Sequence, residues 1–510
     1  MSLYDQVRYP CSARSQTHPE RLATAAVLLG MQPAPVTSCR VLELGCNDGA
    51  NIIAMALGLP ESRFLGVDLA EIALAEGRDV IAQLGLRNIQ LHALDVGALG
   101  DELGEFDYII AHGLYSWVPS EVRDRIMQVC GRNLAPQGVA FISYNVNPGW
   151  QITRIVRDMA LYHVAGFADP VERVNQARSL LKFVVDSQWA SEAYGALLKK
   201  ELDRLAERQE AALFHDELAE VNDPIYFHEF VEHAGRHGLQ YLAEAETSPM
   251  ADQAYPDAVV AALAPLDPIR REQYLDFFRC RRFRQTLLCR REVGLDRSLA
   301  PERLQGLYIS APTRPVFPQV QMNLRSVERF RGGDNASVQV DHPLAKAALL
   351  YLGEIWPRSV SFDELLRHAA ASLPPLAPIR AAGADPEAPD AQALASILLR
   401  ASGPGLVELQ VWQPQYVMQA TECPVASPLA RLQLQQGPRA TNLRHSTVEI
   451  EDPMLRAMVV MLDGTRDRTA LARDLIGMLD PASDPQAAEV IRARLDEALE
   501  RIAGHALLVA

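Results

Sequence analysis

No two of the seven cysteines, at positions 11, 39, 46, 130, 280, 289 and 423, stand in a CxxC pair, and an odd number leaves one over. That argues against a zinc or disulfide framework and suits reduced, buried thiols. No run approaches the roughly 18 apolar residues a membrane helix requires, and MSLYDQVRYPCSARS at the start lacks the apolar stretch of a secretory signal. A cytoplasmic protein with no membrane insertion is expected. Positive charge is also in short supply, with 49 Lys and Arg against 64 Asp and Glu and a formal net charge of −15. Phosphate affinity rests on cations, so this balance disfavours a general nucleic-acid binder.

What is present is an ordinary globular composition, 48% hydrophobic and 22% charged, over 510 residues. One hydrophobic core does not usually hold so long a chain, so two to four domains of roughly 100 to 200 residues are expected.

From Arg40 to about Tyr144, strand-like and helical runs alternate: CRVLELG, NIIAMALGL, RFLGVDL, EIALAEGRDVIAQLG, NIQLHALDV, FDYIIAHG, EVRDRIMQVCGRNL and GVAFISYNV. Short apolar strands separated by helices imply a parallel sheet covered on both faces, with a ligand at the carboxyl ends of the strands. Beyond Pro148 the apolar period becomes helical through NQARSLLKFVVDSQ, ALLKKELDRLAERQEAALFHDELAEV and YFHEFVEHAGRHGL. Prolines and strand-like residues from SLAPERLQGLYISAPTRPVFPQV open a further unit, and residues 371–392, rich in Pro and Ala, read as a mobile surface loop. The expected division is a nucleotide-binding α/β domain over 1–165, a helical region over 166–300, a middle unit over 301–390 and a winged-helix-like α+β unit over 391–510.

The stretch VLELGCNDGANI, residues 41–52, runs from a strand into a glycine-bearing turn and then a helix. Glycine permits the tight turn and the close approach of backbone to a nucleotide. A three-glycine dinucleotide fingerprint fails here, because Asn47 stands where a glycine would and position 50 is alanine. Asp68 in FLGVDL and Asp95 in HALDV then end the second and third strands. An acid at the first of these tips can accept both ribose hydroxyls, and a polar residue at the next can reach an adenine amino group. The alternative for each acid is a cap on the following helix.

These segments, together with EFDYIIAHGLYSWVPSEVRDRI, GVAFISYNVNPGW, THPERLAT, NDPIYFHEFVEHAGRHGLQYLAEA, YLDFFRCRRFRQTLLCR and ATNLRHSTVEIEDPM, resemble bacterial class I methyltransferases with a methyltransferase regulatory domain, and rickettsial protein lysine methyltransferases in particular. The resemblance spans nearly the whole chain. It implies a Rossmann-like domain that binds S-adenosyl-L-methionine, a helical regulatory or dimerisation region and a C-terminal winged helix. By position it makes Glu43, Gly45, Asn47 and Gly49 the loop around the methionine moiety, Asp68 with Leu69 the ribose contact, and Asp95 with Val96 the adenine contact. His112, after the fourth strand, would lie beside the sulfonium; a histidine bonded within its own turn is the other reading. The resemblance also implies an N-terminal lid, with Tyr4, Tyr9 and His18 as contacts, against an ordinary lead-in helix packed on the sheet.

Methyl transfer is an in-line displacement, so few catalytic side chains are needed beyond those that align the acceptor. A lysine acceptor must be neutral when it attacks, which an apolar, aromatic channel favours. Tyr115, Trp117, Tyr144 and Trp150 are candidates for that channel, or are packing residues beneath helices. The arginines of YLDFFRCRRFRQTLLCR are expected in salt bridges rather than on nucleic acid. His228 and His233 in HEFVEH do not match HExxH, and no metal is expected. Three readings follow: a protein methyltransferase, with a homodimer possible; a small-metabolite methyltransferase; and a non-catalytic cofactor-binding scaffold.

Overall fold

The computed structural model describes residues 11–187, 192–206, 210–246, 255–298, 300–323, 326–333, 336–373, 389–478 and 487–510. Most of the expected 371–392 surface loop lies outside the described residues. No described helix is long and apolar enough to cross a membrane.

A seven-stranded sheet organises the N-terminal half. Its strands are β1 (Arg40–Leu44), β2 (Arg63–Asp68), β3 (Ile89–Ala93), β4 (Phe106–Ala111), β5 (Leu134–Asn145), β6 (Leu239–Glu244) and β7 (Phe283–Arg290), in the order β3-β2-β1-β4-β5-β7-β6. The first five run parallel, and β7 is antiparallel to both β5 and β6. Successive residues of β1 serve opposite faces, since Val41 joins the core with Ile52, Phe64 and Phe141, while Leu42 and Leu44 join the core with Ile109, Ile126 and Ile142. Cover on both faces explains why a central parallel strand reads as a continuous apolar run. The strand order reverses between β1 and β4, so the loops after them diverge and leave a crevice at the carboxyl edge.

After β5 the helices Trp150–Val164, Pro170–Asp186, Glu192–Ala206 and Glu210–Glu217 pack around their own core of Val156, Val174, Leu181, Leu198 and Phe214. The expectation of a helical region throughout 166–300 needs correction at two places, because β6 and β7 return to the sheet. Arginine-rich flanks hid a strand-length apolar run there, and one of those arginines is the reason the run can be buried. The Arg284 side chain, fully inside, meets Glu244 at 2.7 Å, Asp276 at 2.9 Å and Glu272 at 3.0 Å, tying β7 to β6 and to the helix Pro268–Arg279. Its guanidinium carbon lies 3.9 Å from the Phe227 ring centroid. Arg281 pairs with Asp276 at 3.2 Å, and Arg282 donates to Glu201 at 2.9 Å.

Residues 304–373 form a third core with two small antiparallel sheets built from β8 (Tyr308–Ser310), β9 (Arg314–Pro315), β10 (Glu328–Arg331), β11 (Ser337–Val340), β12 (Val360–Ser361) and β13 (Glu408–Gln410), in the orders β11-β10-β9 and β12-β8-β13. Residues 391–410, expected in the C-terminal unit, bury Leu394, Leu398 and Leu409 in this same core. A separate core of Leu455, Val459, Leu471, Leu499 and Leu507 unites the remaining helices with the β14-β15 hairpin (Arg439–Thr441 and Thr447–Glu449), as in a winged helix.

Gly77 shows how closely the first helices press on the loop after β1. A Cβ built there would stand 2.1 Å from the Asp48 carbonyl oxygen and 2.7 Å from Leu91 Cδ1. Alanine is the better helix former, but overpacking of this kind costs about 1 to 3 kcal/mol. Thermal melts of Gly77→Ala are therefore expected to show a loss of stability, whereas Gly58→Ala, with nothing within 4 Å of the new carbon, should match or exceed the parent.

Candidate functional site

The loop after β1 is held open by three left-handed residues, Gly45 (φ 72°), Asn47 (φ 50°) and Gly49 (φ 74°). Asparagine tolerates this region better than most residues, so the missing glycine at 47 leaves the turn intact. The amides of Gly45 and Cys46 both donate to the Val67 carbonyl, at 2.8 and 3.1 Å, and that of Asn47 donates to Asp68 Oδ2 at 2.8 Å. Asp68 Oδ1 accepts from the Ala70 amide at 2.9 Å. The carboxylate thus pins the tips of two strands and keeps a further lone pair on each oxygen. Asp95 similarly accepts from the Gly97 amide at 2.7 Å and caps a short 3-10 turn. Asp95 is thus a cap, while Asp68 bonds the loop amides before the helix Glu71–Leu84 without capping it, and both line the same cavity.

That cavity, about 490 Å³, is the size of a small-molecule site. Glu43, Gly45, Asn47, Asp68, Leu69, Asp95, Val96, His112 and Trp117 all line it. Burial, helped by the positive charge of Arg14, brings the His112 pKa down to about 4, so its ring is neutral near pH 7; it stacks on Phe141 at 6.0 Å. Trp117 meets Trp150 edge to face at 6.3 Å, and Trp150 is itself buried away from the cavity.

Four other candidates lie elsewhere. Gly49 closes the turn from below, where a Cβ would come within 2.9 Å of Leu91 Cδ1. His18 caps the helix Pro19–Leu28 and is buried between Trp412 and His445. Tyr144 is buried with its hydroxyl 2.9 Å from Thr286 Oγ1, its ring stacked 3.9 Å from Phe230. Tyr115 points away from the cavity too, its hydroxyl 2.7 Å from His233 Nδ1. His233 and His237 in turn reach Asp124 at 3.1 and 2.8 Å; hydrogen bonds account for the closeness of this trio. Tyr144 lies within β5, where strand alternation sends its side chain into the core, and Tyr115 opens the 3-10 turn Tyr115–Trp117 with its ring in that same core rather than toward the crevice. Tyr4 and Tyr9 are outside the described residues.

Several lining residues carried no sequence signal. Cys11, Ser12 and Arg14 come from the segment before the first helix, and Leu114, Val118, Pro119 and Val122 build an apolar wall beside Trp117. His215 and Asp216 arrive from the helix Glu210–Glu217. Asn51, in the first turn of the helix after the loop, donates to Glu43 Oε1 at 2.7 Å.

Glu43 is the least satisfied group in the cavity. It is buried, and among the described residues its Oε2 has no hydrogen-bond partner. Desolvation pushes its pKa up to about 8; the Asn51 bond opposes this, and Asp48 and Asp68 add to it. A buried acceptor aimed into an acidic cavity fits a cationic group such as a ligand ammonium. The unfolded carboxyl titrates near 4.5 and the folded one near 8. Over that interval the unfolded chain gives up its proton first, so this group's contribution to stability is full below the lower value and lost as pH rises through the upper one. Glu43→Gln cannot ionise. Its melting temperature relative to the parent should therefore climb as melts are repeated from about pH 5 to about pH 8.5; a constant offset would contradict the assignment.

Comparison with known proteins agrees with this geometry. Residues 41–138 match a methyltransferase domain, 209–290 a predicted methyltransferase regulatory domain, and 422–507 a PKMT C-terminal winged helix domain. The regulatory match contains β6 and β7, so that segment completes the methyltransferase sheet. Uncharacterized protein RP789 of Rickettsia prowazekii is 38% identical over 377 residues, covering 72% of this chain and 68% of its own. RP028 of the same organism is 36% identical over 240 residues, 47% of this chain and 96% of its own. PKMT2 from Rickettsia typhi, solved alone and in complex with AdoHcy, superposes with TM-scores of 0.85 and 0.86 at 27% identity, over 98% of this chain and 100% of that one. The chain belongs to the bacterial class I S-adenosylmethionine-dependent methyltransferases that carry a methyltransferase regulatory domain.

Proposed function

We propose that this protein transfers the methyl group of S-adenosylmethionine to lysine side chains of a protein substrate. The observation that carries this reading is the likeness to PKMT2 along the whole chain, including the winged helix, at a site whose residues suit the cofactor. The bound cofactor supplies an electrophilic methyl on a sulfonium. Asp68 offers its remaining lone pairs to the ribose hydroxyls, Asp95 and Val96 flank the base, and Glu43 Oε2 accepts from the ammonium of the amino-acid end. Asp68, Asp95 and Asp216 give the cavity a negative potential that favours a cationic ligand, and the positive charge of that ligand in turn favours the ionised form of Glu43.

The acceptor enters past Trp117, Leu114 and Val118. This apolar wall disfavours a charged lysine and lowers its pKa, so the nitrogen arrives with a free lone pair. His112 remains neutral beside it and offers a hydrogen-bond acceptor without adding a competing positive charge. Alignment and exclusion of water then do most of the catalysis.

Calorimetric titration with S-adenosylhomocysteine is expected to show saturable association. Asp68→Ala should weaken it at least about tenfold, since two ribose bonds and the loop anchor disappear together. Incubation with tritiated-methyl cofactor in a fractionated extract should label protein bands whose acid hydrolysate contains methylated lysine. Label confined to small molecules would instead indicate a metabolite acceptor.

A further inference from the structure

The winged-helix unit reaches the helix Ala50–Gly58, just after the β1 loop, through the His445 side chain. His445 lies at the tip of the β14-β15 hairpin in a left-handed conformation, φ 57°, which a non-glycine residue holds only when its surroundings fix it. Here Asn442 fixes it: the Asn442 side chain accepts from the amides of Arg444 at 3.0 Å and Ser446 at 2.9 Å, and donates to the His505 carbonyl at 3.1 Å. The His445 ring is buried and its Nε2 lies 2.9 Å from Asn51 Oδ1. That oxygen also receives the backbone amide of Arg14 at 2.9 Å, so it is the acceptor and His445 Nε2 carries the hydrogen. The Asn51 amide nitrogen is thereby turned the other way, donating to Thr17 Oγ1 at 3.0 Å and to Glu43 Oε1 at 2.7 Å.

We propose that His445 is a positioning residue contributed by the winged helix, which orients Asn51, and through it Glu43, so that seating of the 439–449 hairpin and binding of the cofactor's amino-acid end reinforce each other. The proposal rests on the reading of Glu43 as the ammonium acceptor. A reversed Asn51 would set its oxygen against the Glu43 carboxylate and its amide against two donors. His445 opposes that reversal from one side and Arg14 from the other. His18 packs beside the His445 ring with centroids 5.0 Å apart, and His18 is itself stacked on Trp412 at 6.0 Å. Burial keeps His445 neutral through the ordinary pH range, so it donates as a fixed group rather than as a proton switch. Coupling of this kind is reciprocal: whatever the hairpin contributes to ligand affinity, the ligand returns to the hairpin.

The test uses the full chain and S-adenosylhomocysteine. In the parent protein, ligand is expected to slow amide hydrogen exchange over 439–449. His445→Leu should bind about tenfold more weakly, the effect of one lost buried hydrogen bond, while His445→Gln, whose amide can still donate to Asn51, should recover most of the affinity. Both variants carry the same backbone strain, and thermal melts establish that each is folded. Exchange over 439–449 unchanged by ligand, or His445→Leu binding as tightly as the parent, overturns the coupling while leaving the cofactor assignment in place. If His445→Leu does not fold, the exchange measurement and His445→Gln decide. No association by the folded parent removes the cofactor assignment and this coupling with it.

Discussion

The Asp68 carboxylate is the fixed point from which the site is built. By accepting the amides of Asn47 and Ala70 it ties the loop after β1 to the tip of β2, two segments that would otherwise splay at the carboxyl edge of the sheet. A loop with three left-handed residues in five is unfavourable alone; it persists because the Val67 carbonyl and Asp68 take up its amides. The cavity then follows from topology, because strand order reverses between β1 and β4 and the loops after them diverge.

Around this point the parts that look appended contribute to the methyltransferase. The regulatory segment supplies β6 and β7, and Arg284 among three carboxylates makes burial of β7 possible; a buried charge without such partners would be prohibitive. The helix Glu210–Glu217 brings His215 and Asp216 to the cavity. The middle region touches the first helix through the Val411 amide, 3.0 Å from Thr24 Oγ1, and through Glu408, 3.2 Å from Arg21. The electrostatic character of the site is consistently acidic, in keeping with a cationic ligand and with a chain short of positive charge.

Much of the site was legible because it lies at strand ends. Glu43, Gly45, Asn47, Asp68, Asp95, Val96 and His112 occupy the tips of β1 to β4 or the residues just beyond, where an alternating pattern of strands and helices locates them without coordinates. Tyr115 and Tyr144, expected to line the acceptor channel, face the core instead: for Tyr144 one residue of strand register decides the side, and for Tyr115 the short 3-10 turn after β4 does. His18, expected as a lid contact to the cofactor, instead caps the helix Pro19–Leu28, the alternative reading; its neighbours Trp412 and His445, hundreds of residues away, could not be read from its surroundings.

By itself, the sequence determined the parallel sheet, the glycine-bearing turn, the two strand-end acids and the absence of a membrane-length apolar run, all of which depend on short-range periodicity and on the backbone freedom of particular residues. Only the tertiary structure decided that β6 and β7 close the sheet, that residues 391–410 belong with the middle core, and that Asn51 and His445 stand behind Glu43. Those outcomes depend on which distant surfaces bury one another and on which buried polar atoms find partners. No local pattern encodes that pairing.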